Sequence, residues 1–358
     1  MRHLALIGLV LLSAAELFAD KVDDFVKGQM EQRRIPGLGL AIVKDSRVTK
    51  SDAYGIANLE LKVPARKETA FEIGSVTKQF TAALILLLVE EGKLGLDQKI
   101  NGFFENAPAA WKEITIRHLL THTSGLKNYT GLPGFEVTKK LDAQKFVATI
   151  GVHPLSGKPG EAFNYCNTGY NLLGYMIEKV TGKSYWEVLH ARILDPLEMR
   201  TTTSRDLKPI IENRADGYEI ENGKLINRDS DLTDVFSAGA IVSTVGDVVK
   251  WNASLDSGKL LSQASRDAMW SPMPLNSGAK YPYGFGWRLD DHKGRRTIWH
   301  SGSTSGFTAS LLRFPDERLA IIVLCNLGDQ GAATTMAKGV ADLLAGGSAQ
   351  SRTTAQKH

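Results

Sequence analysis

Phe71-Glu72-Ile73-Gly74-Ser75-Val76-Thr77-Lys78-Gln79-Phe80-Thr81-Ala82-Ala83-Leu84-Ile85-Leu86-Leu87-Leu88-Val89 is the stretch that decides how this chain is read. From Phe80 to Val89 it is apolar nearly all round, and Gly92 follows. A helix without a polar face is buried, so the stretch predicts a core helix opened by Ser75. Lys78 stands three residues on from Ser75, which puts both side chains on one helical face. A serine hydroxyl is a weak nucleophile until a base removes its proton, and this spacing brings a base within reach. The helix start adds a favourable dipole end and free N–H groups where negative charge would develop. The bland alternative is an N-cap serine beside a solvent-facing lysine.

Ser-x-x-Lys occurs twice more, as Ser124 with Lys127 and Ser277 with Lys280. Both serines are followed directly by glycine and by no helical run, so nothing makes their side chains converge.

Outward from this helix, Val22 to Arg33 has a helical pattern that runs into Pro36. Gly37 to Val43 and Arg47 to Ala57 read as two strands joined at Lys44, Asp45 and Ser46. Downstream, Asp97 to roughly Asp231 is dominated by helical patterns with Pro, Gly and Asn punctuation. Thr297 to His300, Thr308 to Phe314 and Leu319 to Cys325 are strand-like, and Ala332 to Leu344 reads as a closing helix. Strands at both chain ends with helices between them predict an α/β fold: an antiparallel sheet built from both ends and flanked by helices, with an inserted all-helical domain. The expected division is residues 20–80 plus 232–345 for the α/β domain and 81–231 for the helical one. Residues 346–358, polar and without large apolar side chains, are expected to be a disordered tail.

The first nineteen residues have the layout of a signal peptide. Arg2 and His3 precede an apolar run from Leu4 to Leu12, and small residues follow at Ser13, Ala14, Ala15 and Ala19. That run is too short to span a bilayer, which needs about twenty residues. The expectation is a periplasmic or secreted protein with no membrane anchor. With 358 residues, 43% apolar and 23% charged, the chain is an ordinary globular one. Its net charge of +4 comes from scattered Lys and Arg, with no basic stripe interleaved with aromatics, so no nucleic-acid partner is expected. Cys166 and Cys325 read as two separate buried thiols, since one sits beside Tyr165 and the other inside an apolar strand.

Two further elements carry chemistry. Tyr165-Cys166-Asn167 offers a phenol that can pass a proton and an amide that can hold an amine and a substrate. His300-Ser301-Gly302 ends a strand with a glycine, which lets a substrate lie against the sheet edge. With an ordinary pKa of about 6.5, His300 would be partly charged near neutrality and would attract a carboxylate at acidic pH. His118 and His122 stand four apart, but no Glu follows His118 as a zinc-protease motif requires, so neither a metal nor an organic cofactor is expected. Gly302-Ser303-Thr304-Ser305-Gly306 has Thr304 where a nucleophile elbow has its serine.

In this order, the three elements resemble the superfamily of serine β-lactamases, penicillin-binding D,D-peptidases and related esterases, in the branch near class C β-lactamases. Phe71 to Lys78, Leu119-Leu120-Thr121-His122-Thr123-Ser124-Gly125-Leu126, Ser237-Ala238-Gly239 and Tyr283-Gly284-Phe285-Gly286-Trp287 agree with it. The resemblance covers the chain from about Val22 to Leu344. It implies Ser75 as the acylated nucleophile, Lys78 as its base, Tyr165 as proton shuttle and Asn167 as orienting amide. It also implies substrate binding by His300, Gly302 and Ser303, with an oxyanion hole from the N–H groups of Ser75 and Ser303. The family more often has Lys-Thr-Gly at the third element, where this chain has His-Ser-Gly. The function expected is a serine hydrolase acting on D-amino-acid peptides, β-lactams or small carboxylic esters. The alternative is a penicillin-recognising sensor that acylates without turnover.

Overall fold

The computed structural model describes residues 21–133, 141–206, 208–228 and 232–355. The expected signal peptide, residues 1–19, lies outside the described residues.

A seven-stranded antiparallel sheet joins the two chain ends. Helix α1 (residues 21–33) leads into β1 (Gly37–Lys44), β2 (Arg47–Asn58) and β3 (Val63–Pro64). The C-terminal part supplies β4 (Arg288–His292), β5 (Arg295–Thr304), β6 (Phe307–Phe314) and β7 (Leu319–Cys325). The spatial order is β4-β5-β6-β7-β1-β2-β3, so β1 lies against β7 from the far end of the chain, with Leu38 opposite Cys325 and Lys44 opposite Leu319. Asp45 and Ser46, with φ of 49° and 62°, form the two-residue turn between β1 and β2, a geometry that follows the twist of the flanking strands.

Both faces of the central strands are covered, and for this reason β1 and β7 read as nearly unbroken apolar runs, while β6 is buried throughout but carries Thr308, Ser310 and Arg313. Leu38, Leu40 and Ile42 join Ile321 and Val323 against Val22 and Val26 of α1 and Met336 and Val340 of the closing helix α10 (Ala332–Ala355). Ala41, Ile322 and Leu324 face the opposite way, toward the core that contains Val245, Val248 and Phe80. Each large side chain removed from water here contributes about 1.5–3 kcal/mol. The edge strand β4, Arg-Leu-Asp-Asp-His, is too polar to stand out as a strand in sequence.

Between the two halves lie α2 (Thr77–Glu90), α3 (Ile116–Leu120), α4 (Ala143–Gly151), α5 (Asn167–Thr181), α6 (Tyr185–Leu189), α7 (Phe236–Gly239), α8 (Val245–Ser257) and α9 (Gln263–Met269). Helix α2 is buried at every position from Thr77 to Leu88. The inserted segment also carries strands, which its helical patterning hid: Thr203–Ser204 pairs with Ile241–Ser243, and Tyr218–Glu221 with Lys224–Asn227.

Helix α10 runs Ala332–Ala355, past the expected end at Leu344 and through most of the segment expected to be disordered. That segment contains no proline, so nothing removes an N–H from the helical ladder. Cys166 and Cys325 are both free and buried. Among the described residues no helix is long and apolar enough to cross a membrane.

Candidate active site

Ser75 sits in a 3₁₀ turn, Gly74–Val76, that opens directly into α2. This turn lies hard against β5. A Cβ on Gly302 would come within 1.8 Å of the Ile73 carbonyl oxygen, so only glycine allows the approach. The contact brings the Ser75 segment beside Gly302 and Ser303.

Lys78 is the second residue of α2, and its side chain is fully buried. Its Nζ lies 3.0 Å from Ser75 Oγ, 2.8 Å from Asn167 Oδ1 and 2.8 Å from the Ala238 carbonyl oxygen. None of these partners is a carboxylate. Burial is the main cause that holds the Lys78 pKa well below its ordinary value, and the Arg288 guanidinium lowers it further. A neutral amine has two N–H groups and one lone pair. Asn167 Oδ1 and the Ala238 carbonyl can only accept, so they take the two N–H groups, and the lone pair is left for the Ser75 hydroxyl.

Asn167 is the first residue of α5, and its N–H donates to Asn128 Oδ1 at 2.9 Å. Tyr165 brings its ring to 4.9 Å from Lys78 Nζ. The Tyr165 hydroxyl is buried without a partner of hydrogen-bonding geometry among the described residues, although Ser75 is near enough to offset part of the burial effect. Burial dominates and raises its pKa above the ordinary phenol range, so the phenol is protonated at neutral pH.

The other two Ser-x-x-Lys pairs do not assemble. Ser124 Oγ accepts from the Leu126 N–H at 3.3 Å, and Ser277 Oγ accepts from the Ala279 N–H at 3.4 Å. The His118 and His122 pair does not converge either. His118 Nδ1 accepts from the Thr115 N–H in a capping box of α3, and His122 leaves the helix with φ of 58°.

His300 departs from its sequence expectation of a partly charged ring open to a substrate carboxylate. The side chain is buried, its Nε2 is 3.0 Å from Tyr283 Oη, and its Nδ1 is 2.6 Å from the Ser301 carbonyl oxygen. Burial, with Lys78 and Arg288 nearby, pushes its pKa down to about 3. The ring is therefore neutral across the working range. It contributes no charge to the cleft.

Three participants were not singled out as site residues in the sequence. His122 Nε2 lies 3.1 Å from Tyr283 Oη, so these two join His300 in one buried cluster. The only signal was the pair of short stretches around His122 and Tyr283. Gly286, with φ of 78°, shows why the second must be glycine-rich: a Cβ there would stand 2.8 Å from the Lys78 carbonyl oxygen. Arg288, on β4, places its guanidinium 5.9 Å from the Tyr165 ring and 5.6 Å from the Trp299 ring. Among the described residues it has no carboxylate partner.

The family model described as Beta-lactamase matches residues 22–345. The chain belongs to the beta-lactamase family. A penicillin-binding protein of Bacillus subtilis (strain 168) is 33% identical over 296 residues, which is 76% of this chain and 64% of that protein. Protein flp of Staphylococcus aureus (strain MW2) is 30% identical, over 87% of this chain and 63% of its own length. The chain thus spans a little under two thirds of these two relatives. Among solved structures, the octameric penicillin-binding protein homologue from Pyrococcus abyssi matches with TM-score 0.80 at 29% identity, covering 92% of this chain and 77% of that one. The D-amino acid amidase from Ochrobactrum anthropi SV3 matches with TM-score 0.79 at 26% identity, covering 93% and 99%. In this beta-lactamase-family chain the large antiparallel sheet with its flanking helices is the fold those proteins share.

Proposed function

We propose that this protein is a serine hydrolase that works through an acyl-enzyme on Ser75. The reading is carried by one observation: the buried Lys78 amine stands 3.0 Å from Ser75 Oγ with acceptor-only groups on its other sides. That arrangement leaves a lone pair directed at the hydroxyl proton, as a general base requires.

Lys78 takes the proton of Ser75 as Oγ attacks the substrate carbonyl. The N–H groups of Ser75 and Ser303, on the two segments that Gly302 brings together, receive the negative oxygen. Asn167 holds the amine in place. Tyr165, kept protonated by burial, delivers a proton to the leaving group, and Lys78 returns one. Water then attacks the ester, and Ser75 is restored. Arg288, unpaired and adjacent to Tyr165, is the cation that meets a substrate carboxylate, a task the neutral His300 cannot perform. We rank D-amino-acid peptides and amides and β-lactams first, with small esters after them, and the likeness to penicillin-binding proteins and to a D-amino acid amidase supports that order. The leader pattern of residues 1–19 supports action in the periplasm or outside the cell.

Mass spectrometry of a fluorophosphonate-treated sample tests the reading. One adduct is expected, on the peptide that contains Ser75, and Ser75→Ala should abolish it together with hydrolysis. Lys78→Ala should lower kcat/KM about 10²- to 10⁴-fold. Assays with nitrocefin, p-nitrophenyl acetate and D-alanyl-D-alanine peptides rank the substrates. An adduct on Ser124 or Ser277, or full activity in Ser75→Ala, overturns the assignment.

A further inference from the structure

We propose that His122, Tyr283 and His300 form one directional hydrogen-bond relay that positions the two walls of the catalytic cleft, with His300 as its terminus and not a substrate ligand. The proposal rests on the reading of Ser75 given above.

The direction follows from the two ends of the chain of contacts. The Cys166 backbone N–H, 3.0 Å from His122 Nδ1, can only donate, so His122 Nδ1 carries a lone pair. A neutral His122 then has its proton on Nε2, which points at Tyr283 Oη 3.1 Å away. At the other end the Ser301 carbonyl can only accept, so His300 Nδ1, at 2.6 Å, carries the proton. His300 Nε2 is then an acceptor, and Tyr283 Oη, at 3.0 Å, supplies the donor. Tyr283 accepts from one histidine and donates to the other. No alternative with two neutral rings leaves every contact with one donor and one acceptor. Tyr170 also bears on Tyr283, but with its own O–H given to the Leu120 carbonyl at 2.8 Å it can only accept, and a Tyr283 O–H turned toward it would leave the 3.0 Å contact with His300 Nε2 without a donor.

The surroundings keep both rings neutral. Tyr165, Tyr170, Tyr283 and Phe163 pack on His122, and Tyr165 and Tyr283 pack on His300. The basic groups that bear on both rings are Lys78 and Arg288, and His300 in addition opposes protonation of His122. Burial acts in the same direction.

The relay has a mechanical consequence. Its first anchor, Cys166, sits between Tyr165 and Asn167. Its last anchor, Ser301, sits on β5 two residues before Ser303. The side of the cleft that manages protons is thereby tied to the side that carries the oxyanion N–H. His122 and Tyr283 are positioning residues, because they touch neither Ser75 nor Lys78 by hydrogen bond.

Nitrogen-15 NMR of the histidine side chains tests the relay without reference to activity. His122 is expected as the neutral Nε2–H tautomer and His300 as the neutral Nδ1–H tautomer, both unchanged from pH 8 to pH 5, with assignments from His122→Gln and His300→Gln. Tyr283→Phe keeps the ring that packs on His122 and Phe163 and removes only the hydroxyl. In that variant the His300 Nε2 resonance should shift toward that of a free acceptor. The limiting rate of Ser75 labelling by fluorophosphonate should fall about tenfold, while the probe concentration for half-maximal rate changes less than about threefold. The opposite tautomer at either ring, a charged ring at pH 7, or an unchanged His300 signal and labelling rate in Tyr283→Phe overturns the relay. If Ser75 takes no label in the parent protein while both tautomers are found as expected, the Ser75 reading has failed and the hydrogen-bond chain stands.

Discussion

Two basic side chains, Arg205 and Lys78, are fully buried, and they are treated in opposite ways. Arg205 Nε lies 3.0 Å from Glu72 Oε1, with the two side chains only 2% and 1% exposed, and Thr304 Oγ1 donates to the other Glu72 oxygen at 2.6 Å. Lys78 is equally buried and is given an amide oxygen, a peptide carbonyl and a hydroxyl, with no carboxylate. Burying a charge is tolerable when a counterion and hydrogen bonds replace the lost water. Without a counterion, the group sheds its proton instead. Glu72 stands three residues before Ser75 and Lys78 three after, so one short segment holds a structural ion pair and a base. The counterion makes the difference between them.

The largest effect is expected from breaking the pair. Arg205→Met takes the guanidinium away from the buried Glu72 carboxylate and keeps the Thr304 hydroxyl on it, which should cost about 3–5 kcal/mol of stability. Denaturant unfolding of the variant and the parent reads this directly. A loss below about 1 kcal/mol would show that Glu72 is solvated or neutral and that the two regions do not differ in the way described.

A smaller effect is expected from making the second region like the first. Asn167→Asp sets a carboxylate against Lys78 Nζ, where the amide oxygen now lies at 2.8 Å. An adjacent anion favours the ammonium form and raises the Lys78 pKa, so the amine remains protonated at pH 7 and cannot accept the Ser75 proton. The activity limb of the kcat/KM profile should move to higher pH. The rate at pH 7 should fall about ten- to a hundredfold and recover partly as pH rises. A profile unmoved along the pH axis would mean that Lys78 is not the group that titrates.

The two regions were unequally legible in the sequence. Ser75, Lys78, Tyr165 and Asn167 could be picked out because helix spacing and short motifs place them, and the structure assembles all four. The centre of the sheet was legible for a similar reason: β1 and β7 are buried on both faces and read as apolar runs. The Glu72–Arg205 pair could not be read, since 133 residues separate its members and neither lies in a pattern that points to the other. Strand β4 was missed because an edge strand carries polar residues on purpose, which hides its alternation. The same holds for the Ala238 carbonyl, since any residue supplies a carbonyl and only the position of α7 makes this one a ligand of Lys78. His300 was expected at a strand end and partly charged, whereas it lies inside β5 and its ring is neutral. The pKa of a histidine is set by what surrounds it, and Tyr283, the Ser301 carbonyl and the depth of burial are tertiary facts.

The smallest expected effect concerns that neutral histidine, and it is a flat line. A ring that titrated near 6.5 would make the enzyme favour an anionic substrate at low pH and lose that preference as pH rises. With its pKa pushed down to about 3, His300 stays neutral from pH 5.5 to 8, so it cannot alter the preference there. Any attraction for a carboxylate then comes from the Arg288 guanidinium. In the proposed mechanism Lys78 and Tyr165 act on every substrate through the same proton transfers, so any contribution of theirs to the pH profile cancels in a ratio. Thus kcat/KM for an anionic ester divided by kcat/KM for its neutral analogue should vary less than about twofold between pH 5.5 and 8. Arg288→Gln should lower the ratio about three- to tenfold at every pH, the range for a charge pair in a partly wet site. A ratio that falls as pH rises through 6.5 in the parent would return the carboxylate to a charged His300, and the contrast between a paired arginine and an unpaired lysine would no longer account for the charges in this cleft.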